Sequence, residues 1–166
     1  MKPKVCLIGV GMGTPATLTA EAERAIEACP VLVGAPRLLE PYQKGKNCVP
    51  LIAAADILAY IETCGESPVG VLLSGDVGFY SGAKNLWPLL EGYEVESLPG
   101  ISSLAYLCTK LKTSWQDAHV ASAHGRILNA AGEVQSHAKT FLLTGGKTKA
   151  QDVCRAIAEW GMDWVE

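Results

Sequence analysis

Short aliphatic runs recur along this chain, each followed by a turn and then by a helical pattern, and that rhythm restricts the sequence to an α/β fold. Val5-Cys6-Leu7-Ile8, Val31-Leu32-Val33 and Val69 to Leu73 are too short to be helices and have no polar face. Such runs suit a sheet covered on both sides, and their alternation with helical patterns is the signature of parallel strands joined by crossover helices.

The first unit leads from Val5 through Gly9 to Pro15 into a helix whose Leu18, Ala22, Ala25, Ile26 and Cys29 share one face. Thr19 suits its cap, and Glu21 and Glu23 suit its positive end. Gly34 closes the second strand, and a helix carrying Ile57, Leu58 and Ile61 ends at Gly65, a residue fitted to the left-handed terminal position. A helix through Leu86 to Leu90 follows the third strand. Tyr93 to Leu98 then alternates polar with apolar residues, as an outer strand does. The helix after it has Ser102 as its cap and Leu104, Leu107, Cys108 and Leu111 on its inner side.

The polar break Lys112-Thr113-Ser114 marks a domain boundary, giving an N-terminal domain over 1–112 and the start of a second over 113–166. In the second, Ala118 to Ala121 and Thr140 to Leu143 read as strands, His124-Gly125-Arg126 as a turn, and Val153, Ile157 and Trp160 as one helix face. Met162 to Val165 reads as the beginning of a further strand, so the second domain is expected to be a shortened one.

Three loops after strands gather glycine with small polar residues, and in open α/β sheets that edge is where ligands bind. Gly9-Val10-Gly11-Met12-Gly13-Thr14-Pro15 has Thr14 where a dinucleotide fingerprint wants its third glycine, and the second strand ends without an acid. Both departures weigh against a nicotinamide or flavin cofactor. Ser74-Gly75-Asp76-Val77-Gly78-Phe79-Tyr80-Ser81-Gly82 combines close backbone approach with an anion suited to an ammonium or sulfonium cation. The plain alternative for Asp76 is a turn former or helix cap. Leu98-Pro99-Gly100-Ile101-Ser102-Ser103 offers two hydroxyls and open amides at a helix start, or simply a well-capped helix.

Composition narrows the partners. With 14 Lys and Arg against 17 Asp and Glu, and no basic stripe, the composition weighs against nucleic acid as a partner. No apolar run reaches the roughly 20 residues of a membrane span. The six cysteines are widely spaced and form no zinc or redox motif, so they read as reduced cytoplasmic thiols. No metal site is read from the sequence, and His119 and His137 are taken as structural or surface residues.

Taken together, these segments resemble the tetrapyrrole methylase superfamily, whose members bind S-adenosylmethionine between two α/β domains. The resemblance rests on Gly9 to Pro15, Leu18-Thr19-Ala20-Glu21-Ala22, Val33-Gly34-Ala35-Pro36-Arg37-Leu38-Leu39, Ser74 to Ser81, Pro99 to Ser103, Ser122 to Arg126 and Leu143-Thr144-Gly145. Arg37, the Gly-Phe-Tyr-Ser ending of the aspartate loop and Ser122-Ala123-His124-Gly125-Arg126 are most similar to the branch that methylates C5 of precorrin-7 or its cobalt form. Met12 and Val77 stand where that family usually has proline.

The resemblance implies cofactor contacts at Pro15, Ser74, Gly75, Asp76, Phe79, Ser102, Ser103 and Thr144. It also implies a corrin substrate rich in carboxylates, for which Arg126 and His124 are the candidate partners, with Arg37 behind them. A surface charge and a backbone-bonded turn histidine are the bland alternatives for Arg126 and His124. No catalytic base is named, because a sulfonium methyl is already electrophilic and alignment in a water-poor cleft is the main requirement. A homodimer is expected, as is a separate enzyme for the neighbouring C15 methylation and decarboxylation. A diphthamide or ribosomal RNA methylase, a nicotinamide-dependent oxidoreductase and a cofactor-binding module without activity remain the alternatives.

Overall fold

The computed structural model describes residues 2–124, 128–146 and 148–165. The chain divides into two compact units, Met1–Tyr106 and Leu107–Glu166.

The first unit is built on five parallel strands in the order β3-β2-β4-β1-β5. They are β1 (Val5–Gly9), β2 (Val31–Gly34), β3 (Asn47–Pro50), β4 (Val69–Leu73) and β5 (Val95–Leu98). Their helices are α1 (Ala20–Ala28), α2 (Pro36–Leu39), α3 (Ala54–Thr63) and α4 (Ala83–Leu86), and α5 (Ser103–Lys110) follows β5. β1 lies between β4 and β5, with Val5 opposite Val69 of β4 on one side and opposite Val95 of β5 on the other.

Strand alternation divides the core into two layers. Val5, Leu7, Val31, Val33, Val69 and Val71 face α3 and α4, where they meet Ile57, Ile61, Ala83 and Leu86. Cys6, Ile8, Leu32 and Leu72 face the other way, onto Ala22 and Ile26 of α1 and Leu38 and Leu39 of α2. A doubly covered sheet is what the uniformly apolar runs require. Packing on the second face is close at Gly70, where a Cβ would stand 2.8 Å from Leu32 Cδ2 and 3.1 Å from Cys29 Sγ.

Local signals operate as the sequence predicts at α1, where Thr19 Oγ1 accepts the Ala22 amide at 3.1 Å, and at Gly65, which takes φ +68° after α3. β5 is the expected outer strand. At the opposite edge, β3 was not evident in the sequence, because Asn47-Cys48-Val49-Pro50 is partly exposed and carries little apolar signal. The helix expected through Leu86 to Leu90 instead spans Ala83–Leu86. Pro88 has no amide to continue the helical hydrogen-bond ladder, so the chain goes on as turns.

The second unit pairs β6 (His119–Ser122) with β7 (Thr140–Leu143) in parallel, with His119 opposite Thr140. It carries α6 (Ala130–Ser136) and α7 (Ala150–Glu159). The strand expected from Met162 is not formed. Gly161 at φ +69° ends α7, its amide bonding the Ala158 carbonyl at 2.9 Å while the Met162 amide bonds that of Ile157 at 3.3 Å. This paired closure turns the chain back, and Met162 is buried as its apolar partner. All six cysteines are free; Cys6, Cys29 and Cys108 are buried and Cys154 is exposed.

Candidate active site

Neighbouring strands β1 and β4 send their connections in opposite directions and over opposite faces: β1 through α1 to β2, β4 through α4 to β5. A crevice opens at the carboxyl ends of strands at such a switch point. The loops after β1, β4 and β5 therefore meet there, because those three strands are adjacent.

Backbone bonds lock the first two loops. The Val10 amide donates to the Leu73 carbonyl at 2.9 Å, and Gly11 and Gly75 exchange both of their bonds, at 3.1 and 2.7 Å. Gly11 at φ +59° and Gly75 at φ +70° adopt the left-handed conformation that this exchange needs. Thr17, a buried hydroxyl, pins the first loop from below: its Oγ1 accepts the Met12 amide at 3.0 Å and donates to the Thr14 carbonyl at 3.1 Å.

Asp76 joins the second loop to the third. Its Oδ1 accepts the Gly78 amide at 2.8 Å and its Oδ2 accepts the Gly100 amide at 3.1 Å. Both oxygens are thus engaged by backbone, and the side chain places one negative charge among three loops. Close approach of those loops needs bare backbone. A Cβ on Gly9 would lie 2.7 Å from the Gly100 nitrogen and 2.8 Å from the Gly75 oxygen, and one on Gly100 would collide with that same oxygen.

Of the other expected cofactor contacts, Ser74 is exposed and Gly75 and Phe79 are half-buried on the same loop. A Cβ at Gly75 would meet nothing within 4 Å, so its outer side is open. Phe79 sits edge-on to Tyr80, with ring centroids 5.1 Å apart. Tyr80 takes φ +48°, unusual without glycine, a conformation that costs about 1–3 kcal/mol and persists where its surroundings impose it. Ser102 Oγ accepts the Ala105 amide at 3.2 Å and caps α5, and Ser103 is the first residue of that helix.

Pro15 lies apart from this convergence. It opens a short 3-10 turn and lines a mostly apolar cavity of about 380 Å³ with Val10, Gly13, Thr14, Leu18 and Tyr42. Arg37 is exposed at the start of α2, its Nη1 3.9 Å from the position of a Cβ on Gly13.

In the second unit, Thr144 directly follows β7 and is half-buried. His124 follows β6, its amide donates to Ser122 Oγ at 3.3 Å, and its ring occupies the space that a side chain at position 145 would need. Arg126 lies outside the described residues.

Two features of this site had weak sequence signals. Thr17 could have been noticed as a lone hydroxyl behind a Gly-x-Gly turn. The meeting of Gly9, Gly75 and Gly100 had no local signature, since it joins residues from three separate strands.

The donor set fits a cationic, amine-bearing ligand: one carboxylate and capping hydroxyls beside the open side of Gly75, without a lysine or arginine among the three loops. Residues 4–163 match the family described as tetrapyrrole (corrin/porphyrin) methylases. The chain is 26% identical over 148 residues to a probable cobalt-precorrin-7 C(5)-methyltransferase of Methanocaldococcus jannaschii, covering 84% of this chain and 70% of that protein. It is 29% identical over 165 residues to a Sinorhizobium precorrin-6Y C(5,15)-methyltransferase (decarboxylating), covering 97% of this chain but 40% of that relative. The crystal structure of a cobalamin-biosynthesis precorrin-6Y methylase from Archaeoglobus fulgidus superposes with a TM-score of 0.71 at 21% identity, over 90% of this chain and 77% of that one. That likeness extends the agreement to the fold.

Proposed function

The chain belongs to the tetrapyrrole (corrin/porphyrin) methylase family, and from that premise we propose that it transfers a methyl group from S-adenosylmethionine to C5 of a corrin precursor, cobalt-precorrin-7 or its metal-free form. The observation that carries this reading is the Asp76 carboxylate bonded to Gly78 and Gly100 at the switch point, which fixes an anion beside the open outer side of Gly75.

S-adenosylmethionine, when bound, supplies an electrophilic methyl carbon on a sulfonium. The residues of this chain would then bind and align. Carbonyls around Gly75 would accept the ammonium of the methionine portion, and the negative charge of Asp76 would favour a cation nearby. Ser102 and Ser103 would bond the polar ends, with Ser74, Phe79, Pro15 and Thr144 completing the contacts. Arg126, His124 and Arg37 are assigned to the substrate carboxylates. Alignment of two bound reactants away from water supplies the rate enhancement, so no general base is invoked.

We assign to this chain the C5 transfer alone, and the C15 methylation and decarboxylation named for the longer Sinorhizobium relative to a separate partner. We further propose a cytoplasmic homodimer; the free thiols and the exposed Trp115, Trp160 and Trp164 support it. Among the described residues, no helix is long and apolar enough to cross a membrane.

Calorimetric titration is the first test: heat with S-adenosylhomocysteine and none with NADH is expected. Incubation with labelled S-adenosylmethionine and cobalt-precorrin-7 should then add one methyl group to the corrin by mass spectrometry. Binding without transfer would leave a cofactor module, and binding of NADH instead would overturn the reading.

A further inference from the structure

In the second unit, away from the loops after β6 and β7, three side chains bring together two imidazoles and a carboxylate. His119 opens β6, Glu133 lies on α6, and His137 caps the C-terminal end of that helix four residues later. The spacing of four sets Glu133 and His137 on one helix face. Strand β6 lays His119 against them: its Nε2 is 2.7 Å from Glu133 Oε2, and its ring stacks on that of His137 with centroids 3.7 Å apart and planes 3° from parallel. One ring nitrogen from each histidine and a carboxylate oxygen of Glu133 all lie within 4.8 Å of one another.

The chemistry of the group goes beyond that of a hydrogen-bonded pair. His137 Nδ1 is 2.9 Å from the Glu133 carbonyl oxygen, which can only accept, so Nδ1 holds the proton and the neutral ring carries its lone pair on Nε2. A histidine that donates one ring N–H to a backbone carbonyl has the arrangement that orients metal-binding imidazoles. Two imidazoles and a carboxylate form a donor set for borderline divalent ions, at bond lengths of about 2.0–2.2 Å. Tetrahedral ligands at such lengths stand about 3.4 Å apart, so closure from the 4.8 Å spread takes a shift of up to about 1.4 Å and turns one imidazole out of the parallel stack, because both rings must aim an in-plane lone pair at the ion. The exposed side chain of His137 can supply it by rotation. The side chains of His119 and Glu133 are 34% and 30% exposed, dry enough to favour coordination and open enough to admit the ion.

We propose that His119, Glu133 and His137 bind one divalent transition-metal ion, zinc being the reference case, with water completing its coordination. His119 is the first residue of β6, whereas His124 and Thr144 follow the far ends of the two strands. The ion therefore acts as a staple between β6 and α6, and takes no part in methyl transfer. The described residues of Leu107–Glu166 bury mainly small apolar side chains, among them Ala121, Ala123, Ala130 and Ala131, and a cross-link that exists only in the folded state stabilises them by mass action.

The test uses the full chain stripped with chelator and titrated with Zn²⁺ against a chromophoric competitor. One equivalent should bind, and saturating Zn²⁺ should raise the melting temperature. His137→Ala, an exposed change that leaves the fold intact, and Glu133→Gln, which keeps a polar partner for His119, should each weaken binding at least tenfold and abolish the thermal shift. Loading with Co²⁺ should give visible d–d bands without the near-ultraviolet charge transfer of thiolate ligation. Absence of binding, wild-type affinity in both variants, or a thiolate band revealing cysteine ligands would each overturn the proposal.

Discussion

The carboxylate of Asp76, which follows β4, accepts the backbone amide of Gly100, which follows β5, at 3.1 Å, and so bridges over the end of β1, the strand between them. One side chain thereby holds the second and third loops in register with the first.

Removing that bridge should cost both stability and ligand affinity. Asp76→Ala leaves the Gly78 and Gly100 amides without their acceptor, a loss of about 1–3 kcal/mol. Urea denaturation should record it, and affinity for S-adenosylhomocysteine by calorimetry should fall at least tenfold. Asp76→Asn, which retains one oxygen, should lie between. Wild-type affinity in the alanine variant would remove Asp76 from the site.

The glycine contact makes a separate prediction. Gly9→Ala and Gly100→Ala insert a methyl group against backbone that cannot yield by side-chain rotation, and each should destabilise by about 1–3 kcal/mol while weakening cofactor binding. Gly45→Ala is the control: a Cβ there meets nothing within 4 Å, so chemical denaturation should show no loss.

At the start of α1, Thr19→Ala removes the acceptor for the Ala22 amide and should lower stability by about 1 kcal/mol. Thr19→Ser keeps the hydroxyl and should stay close to wild type. Parallel thermal melts of the two variants make the comparison.

Acid should weaken the second unit through Asp117. Lys139 Nζ donates to both of its oxygens, at 2.8 and 2.9 Å, and holds this exposed carboxyl below its ordinary value of 3.8. The group binds its proton less readily folded than unfolded. Its contribution is therefore present above the unfolded value and is lost as pH falls through the lower, folded one. The stability difference between wild type and Asp117→Asn should be small but measurable by denaturant titration at neutral pH, and should vanish on acidification past the folded pKa. A difference that persists in acid would show that the pair does not act through its charge.

Much of the site was legible in the chain because its loops are local objects. Ser74 to Gly82 and Leu98 to Ser103 announce themselves through glycine and small polar residues, and Ser102 caps α5 as its position implies. Asp76 shows the limit of that reading. Sequence alone left it either a ligand-facing anion or a turn former, and the turn role at Gly78 exists together with a bond to Gly100, 24 residues away. Partly exposed β3 and the turn after Gly161 escaped for a different reason. Short segments with little periodicity take their conformation from neighbours and end caps, not from an apolar pattern.

What the sequence determined by itself was the alternation of buried strands with amphipathic helices, since burial of Val, Leu and Ile on both faces of a strand is a property of composition and period. It also determined the order of the loop motifs. Only the tertiary structure decided which loops adjoin, that Gly9, Gly75 and Gly100 share one contact, and that His119 meets Glu133 and His137. Strand order and packing between distant segments depend on how helices cover the sheet, a choice no window of neighbouring residues contains.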